Sequence, residues 1–371
     1  MTQRDKDLKE FYQEAEERHL IPLWNITAQL LPSEPKTKVK PFLWRWSDLR
    51  RMAYRAGELV PIERGGERRV LGLVNPGLGG KYAATHTLWA AVQIVMPGEI
   101  APCHRHTPSA IRFIIEGDRS YTTVNGDKCV MNRGDLVLTP NWTWHDHGCE
   151  SDKPIIWMDG LDLPLVGDLD VIFFEFFPEL RHPITTVNAS ETKFSGPHLR
   201  PTWEKPEGGY PTLLNYKWGP TYQALKKIGE GPASPFDDIC FEYLNPNTGG
   251  PVLPTIGCYI QMIRPGVHTL AHRQVNSAVY HVFEGRGYSV INAQRFDWER
   301  GDFFVVPPWT WHEHANEGQA EAILFSIQDT PVIKALGLSR EEAYQENGGH
   351  QKISSTFEVD NMAGFISKME S

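Results

Sequence analysis

An internal duplication limits this chain's fold more than any other feature of its sequence. PGEIAPCHRHTPSAIRFIIEG, beginning at Pro97, is matched by PGVHTLAHRQVNSAVYHVFEG, beginning at Pro265. Further on, RGDLVLTPNWTWHDH from Arg133 is matched by RGDFFVVPPWTWHEH from Arg300. His272 lies 168 positions after His104, and His312 lies 167 after His145, so one residue is lost between the two motifs, in the intervening hairpin. A repeat of this length is one structural unit copied, not a short solenoid element. Within each copy the texture is of short β-rich runs, such as RVLGLV, LWAAVQIV, AIRFII, DLVLTP and IIWMDG, punctuated by Gly, Pro and Asn-Gly turns. Many short strands at even spacing make a sandwich or a barrel. The chain is therefore expected to be all-β, with two similar domains.

The boundaries follow from changes in this texture. Residues 1–68 form a helical arm and lead-in, 69–170 the first β-domain, 171–240 a Pro/Gly-rich connecting region, 241–330 the second β-domain and 331–371 a helical tail. In the arm, Leu8, Phe11, Tyr12 and Ala15 fall at helical spacing until Pro22. A second helix is predicted from Ser47 as cap through Leu49, Met52, Ala53 and Ala56 to Gly57. DTPVIKALGLSREEAYQE is predicted as a terminal helix. With 371 residues, 40% of them hydrophobic, there is material for two cores. A net charge of −9 argues against a nucleic-acid surface, and the short cluster Arg64, Arg68, Arg69 does not overturn that. No apolar run is long enough to span a membrane and no apolar leader follows the first residues, so a cytoplasmic protein is expected. Five cysteines without scaffold spacing read as free thiols, Cys103 and Cys149 as structural ones.

The chemistry sits in the first copy. Residues two apart on a strand point to one face, so His104 and His106 form a chelating pair aimed into one barrel interior. His145, arriving from a distant strand after a hairpin at Asn125-Gly126, completes one triangular face of an octahedron and leaves three positions open. Open positions make a metal catalytic rather than structural. Three neutral imidazoles leave a divalent ion its full 2+ charge, which suits a dianionic chelator such as an aromatic ortho-hydroxy acid.

Gly98, His104, His106 and Gly117, followed by Gly134, Pro140 and His145, resemble the two motifs of the cupin superfamily. Two departures stand out: the carboxylate that many cupins add as a fourth ligand would fall near Ala110 or Ile111 and is absent, and the usual closing Asn is Cys149. A three-histidine site is similar to that of the ring-cleaving dioxygenases. With IPLW at Ile21 to Trp24, LVPIERGGERR, LVNPGLGG and a degenerate second copy, the layout resembles gentisate 1,2-dioxygenases over nearly the whole chain. Salicylate and 1-hydroxy-2-naphthoate dioxygenases share that layout. The resemblance implies a bicupin of two double-stranded β-helix (jelly-roll) barrels with flanking N- and C-terminal helices. It also implies one Fe(II) per chain in the first barrel, O2 and a small aromatic ortho-hydroxy acid as partners, and a homotetramer. For gentisate it implies opening between C1 and C2 to maleylpyruvate.

Several neighbours are candidates for substrate handling. Arg112, in the apolar run AIRFII, needs a partner: a substrate carboxylate on the functional reading, or a salt bridge to Asp159 or Glu116 on the structural one. Arg68 matches a second substrate arginine in the family, against an exposed-loop alternative. His147 is a candidate acid/base and Asp159 a candidate for orienting it, against a strand-end surface histidine. Trp89, Ala91 and Gln93 share one strand face and would wall a pocket for a flat ring, against simple core packing for the first two. In the second copy Gln274 replaces His106 and Tyr280 replaces Arg112, so no tight metal is expected there, and His281 has the wrong parity to rescue a site. A ligand-binding or storage bicupin is the non-enzyme alternative. The intact triad beside a strand arginine weighs against it, and the missing carboxylate weighs against decarboxylase and phosphosugar isomerase cupins.

Overall fold

The structure is a computed structural model, and it describes residues 2–61, 69–195, 210 and 212–358. Arg64 and Arg68 lie outside the described residues. Residues 1–38 form one compact unit and 39–371 another. In the first unit, Thr2 and Asp5 build a reciprocal capping box at the start of helix Gln3–Glu17. That helix ends before Pro22, and helix Leu23–Leu30 follows. The two are joined by a stacked Phe11–Trp24 pair, 6.3 Å between centroids.

Among its described residues the larger unit contains four six-stranded sheets, two for each copy of the repeat. In the first barrel, Leu136–Thr139, Ala110–Glu116, Ile155–Leu161 and Trp89–Val95 lie side by side. The facing sheet runs Ile100–His106, His145–Cys149, Ser120–Val124, Asp127–Met131. The second barrel repeats both orders. Alternation along the strands divides their side chains cleanly. Val95, Ile114, Val137, Ile155 and Trp157 fill the first barrel's interior. Val92, Ile94, Ile111, Phe113, Ile156 and Met158, on the opposite parity, pack against Phe283, Phe325 and Ile327 of the second barrel. Phe113 stacks on Phe325 at 4.0 Å. Matched clasps close this interface. Asp162 accepts from Ser109 N–H (2.8 Å) and Thr255 O–H (2.5 Å), while Asp329 accepts from Ser277 N–H (2.8 Å) and Thr87 O–H (2.5 Å).

The lead-in of each copy is grafted onto the other copy's barrel. Phe42–Trp44 pairs with Phe303–Val306, and Asn215–Tyr216 pairs with Leu136–Thr139. The helices that follow, Trp46–Leu59 and Trp218–Ile228, are anchored by Trp46 N–H to Asp302 (2.8 Å) and Trp218 N–H to Asp135 (3.0 Å). Gly134 has φ +85° and lies so close to Trp218 that a Cβ would sit 2.6 Å from its indole, which is why the RGD motif carries glycine.

Four sequence expectations are revised. The helix expected to be capped by Ser47 and stopped at Gly57 runs Trp46–Leu59, with Arg45 at its N-cap position and Gly57 inside it. The region 171–240 is more than a connector, because Phe174–Phe176, Thr186–Val187 and Asn215–Tyr216 all add edge strands to the first barrel. The tail is not one helix. Thr330–Ala335 is helical, but Gly337 turns the chain at φ +70°, and Glu341–Ala343 then takes a free strand edge beside His272–Gln274. The lost residue is not in the hairpin turn, since Asn125 and Asn292 are already 167 apart. It falls between Gly117 and Ser120, where the first copy inserts a turn with Arg119 at φ +48° and the second runs straight into strand Arg286–Ile291.

Candidate active site

Strands Ile100–His106 and His145–Cys149 pair so that His104 and His145 are direct partners, and His106 follows on the same face as His104. The ring centroids lie 4.3 Å (104–145), 4.9 Å (106–145) and 5.5 Å (104–106) apart, and the ligand nitrogens all fall within 4.8 Å of one another. Each Nδ1 lies beside a backbone carbonyl two residues away: Pro102 at 2.9 Å, Pro108 at 2.7 Å and Thr143 at 2.9 Å. A carbonyl only accepts, so each Nδ1 carries the proton and each Nε2 presents a lone pair. Three such lone pairs at this spacing, with no carboxylate among them, fit a divalent transition-metal ion.

The turn before His145 is held under strain. Trp142 has φ +59°, unusual for a bulky residue, and its N–H donates to His106 O at 2.8 Å. Arg105 lies over both Trp142 and Trp144, 4.3 Å from each ring. This clamp recurs as Arg273 over Trp309 and Trp311. Phe174 stacks on His104 at 5.1 Å from the adjoining edge strand.

Arg112 shares the parity of Ile114 and therefore faces the barrel interior, where it is almost fully buried. Asp159 is its direct partner on the neighbouring strand. Arg112 Nε lies 3.3 Å from the Asp159 carboxylate and Nη1 donates to Thr139 at 2.8 Å. Burial pushes the guanidinium pKa below its ordinary value, and Asp159 opposes that shift. Asp159 also accepts the Trp157 indole N–H at 3.0 Å. His147 is fully buried rather than at the surface. Its Nδ1 shares a 2.8 Å hydrogen bond with Thr122, and its ring lies 5.8 Å from His145 and 5.4 Å from Trp157. Gln93 lies opposite Trp157 and Ala91 opposite Asp159, so both face the same interior, and Trp89 continues that face toward the rim. The amide of Gln93 is buried with neither atom hydrogen-bonded among the described residues. Nearby Arg69 is engaged elsewhere, donating to Gly57 O at 2.7 Å and ion-paired with Glu99.

Thr122, Thr139, Trp142 and Trp157 escaped the sequence reading. For Thr122 a signal existed in the repeat: Ser289 stands at the matching position and bonds His314 as Thr122 bonds His147.

The second barrel keeps the frame and loses the set. His272 again pairs with His312, but the His106 position is Gln274, and His272 Nδ1 bonds the Glu341 carboxylate at 2.8 Å. Tyr280 and Ser326 replace the Arg112–Asp159 pair. His281 points away into the inter-barrel core against Phe303, where burial lowers its pKa to about 3.

The family model described as Cupin domain matches residues 91–161 and 259–328. The chain is 41% identical over 360 residues to a 5-aminosalicylate 1,2-dioxygenase of Comamonas sp, covering 95% of this chain and 94% of that protein. It is 40% identical over 343 residues to a gentisate 1,2-dioxygenase of Streptomyces sp, covering 90% and 95%. A crystal structure of salicylate 1,2-dioxygenase from Pseudoaminobacter salicylatoxidans with gentisate superimposes with a TM-score of 0.85 at 40% identity, covering 91% of this chain and 93% of that one. With a three-histidine cluster in one of two cupin barrels and likeness along nearly its full length, the chain belongs to the bicupin family of ring-cleaving gentisate- and salicylate-type 1,2-dioxygenases.

Proposed function

We propose that this enzyme uses iron(II), held by His104, His106 and His145, to open gentisate between C1 and C2 to maleylpyruvate. The observation that carries the reading is the all-imidazole set, which leaves a bound ion its 2+ charge for a substrate binding through carboxylate and phenolate. Iron(II) supplies the redox chemistry with O2 that ring opening requires, which zinc in the same ligands cannot.

The chain's own residues would do the rest. Arg112, fixed by Asp159 and Thr139, would grip the substrate carboxylate. Gln93, whose buried amide has no partner among the described residues, would bond a ring hydroxyl and relieve a cost of about 1–3 kcal/mol. Trp89 and Ala91 would wall the flat ring, and Arg68 would add a second cation from outside the described residues. With Nδ1 held by Thr122, His147 would exchange the proton of a substrate hydroxyl through Nε2. Asp159 would steady this group through Trp157, which faces His147.

5-Aminosalicylate is the second reading, favoured by the 41% identity to an enzyme named for it. Salicylate and 1-hydroxy-2-naphthoate are further alternatives. Relative kcat/KM on these four acids decides the matter. Gentisate should lead, and a clear preference for another acid would replace it.

We also read the protein as a cytoplasmic homotetramer. Free thiols support the compartment. Exposed Val171, Ile172, Phe173, Phe174, Phe176 and Leu180, beside the metal strand, support assembly. Light scattering on the purified chain should give four copies.

A further inference from the structure

A second cluster of ligand-type side chains lies on the outside of the second barrel. Glu313 sits between His312 and His314 on strand His312–Ala315, so its parity points it away from the barrel interior, yet its side chain is fully buried. One carboxylate oxygen, Oε2, lies 2.9 Å from His350 Nδ1 and 3.4 Å from His268 Nε2. The three ligand atoms all lie within 4.8 Å of one another. The other oxygen, Oε1, accepts the Gln351 backbone N–H at 2.9 Å, which fixes the carboxylate with Oε2 toward the histidines. The two rings lie 4.3 Å apart at 38°. Both histidines are about one-third exposed, so the cluster opens to solvent on one side.

Charge makes this arrangement informative. Among the described residues Glu313 is ion-paired only with these two histidines. A buried carboxylate without a counter-charge is costly, and a cation seated among the three groups would supply one. The first copy solves the same problem differently. Asp146 stands at the position of Glu313; burial pushes its pKa up, while the His182 N–H, which plays the part of Gln351, and the nearby Arg181 charge oppose that shift. Ile100 stands where the second copy has His268. The ligand set therefore belongs to the second copy alone.

We propose that His268, Glu313 and His350 form a divalent-cation site of zinc type, separate from the catalytic triad, that staples the C-terminal segment to the second barrel. Two imidazoles and one carboxylate oxygen suit zinc, with solvent in the fourth place. At bond lengths of about 2.0–2.1 Å a tetrahedral edge is about 3.3 Å, close to both distances already present from Oε2. The ligands come from three separated stretches, and the ion would hold them together. His350 begins the segment whose Gln351 side chain bonds Ala293 N and Val290 O, each at 2.9 Å, and whose Ser355–Thr356 strand runs beside Gln294–Glu299.

The test uses the full chain carrying His104→Ala and His106→Ala, stripped with chelator and titrated with Zn(II) at pH 7.5 by calorimetry and metal analysis. One zinc per chain is expected, with a rise in Tm. Adding His350→Ala, on a partly exposed residue, should abolish both, whereas adding His272→Ala should leave both intact. Circular dichroism checks that each variant is folded. Cobalt(II) in place of zinc should show visible bands that disappear in the His350→Ala chain. The proposal is overturned by no zinc uptake, by uptake that survives His350→Ala, or by uptake lost with His272→Ala, which would place the ion in the barrel mouth. A Tm that responds to acid but not to zinc would show a proton-only clamp and overturn it equally.

Discussion

Arg112 admits two readings, substrate clamp or structural ion pair, and a double-mutant cycle with Asp159 separates them. The pair is buried and directly opposed across two strands, with Nε 3.3 Å from the carboxylate. Arg112→Met removes the cation beside the Asp159 carboxylate, and Asp159→Asn removes the anion beside the guanidinium. Breaking a buried pair from one side costs about 3–5 kcal/mol. The contact is longer than a tight charge-assisted bond, so each single variant should lose about 3 kcal/mol. Asn keeps an acceptor for the Trp157 indole, and Met fills much of the arginine stem's space. The double variant should therefore recover most of the loss, a coupling of about 2 kcal/mol or more. Urea denaturation followed by tryptophan fluorescence reads this arm. Activity is read from absorbance of the ring-opened product. Losing a buried contact to a substrate carboxylate costs at least about 2 kcal/mol, or about 30-fold in kcat/KM. If Arg112 grips substrate, the double variant regains stability and keeps the catalytic defect. Recovery of both together would refute the clamp and leave Arg112 a structural residue.

Three further outcomes are expected. Burial holds the His281 pKa at about 3, below its ordinary 6.5. The neutral form is thus favoured on folding, and the stability is present above pH 6.5 and lost as pH falls toward 3. Between pH 7.5 and 4.5 that loss is about 3 kcal/mol, and His281→Leu should flatten the acid limb of stability by a comparable amount. Gln93→Met removes a buried amide with no partner among the described residues and should raise stability by about 1 kcal/mol, while lowering kcat/KM. An unchanged kcat/KM would remove Gln93 from the substrate site. Ala293 turns the second hairpin at φ +63°. Ala293→Gly should raise stability by about 1 kcal/mol, visible as a higher urea midpoint with unchanged activity.

The triad was legible because two regularities point to it: strand parity puts His104 and His106 on one face, and the repeat shows which of its members the second copy has lost. The Asn125-Gly126 turn was equally plain, both residues taking positive φ between strands Ser120–Val124 and Asp127–Met131. Strand parity also linked Arg112 with Ile114, but which of the two faces was the interior depended on the second barrel, whose Phe283, Phe325 and Ile327 claim the other one. The exchanged lead-in strands were hidden because Phe42–Trp44 and Asn215–Tyr216 are too short to carry a period, and their partners lie far along the chain. Glu341–Ala343 has helix-forming composition but pairs with an open sheet edge, so tertiary context overrides propensity there. The His268–Glu313–His350 cluster has no spacing signature, since the fold alone brings its members together.

The central claim is that iron in the first barrel, and not the second, drives O2-dependent ring opening. Anaerobic reconstitution with iron(II), followed by an oxygen-electrode assay with gentisate, tests it most directly. One O2 should be consumed per gentisate, and His106→Ala should abolish both turnover and the iron that supports it, while His272→Ala leaves them intact. No oxygen uptake by the iron-loaded chain with any ortho-hydroxy aromatic acid, or full turnover in the His106→Ala chain, would contradict the account.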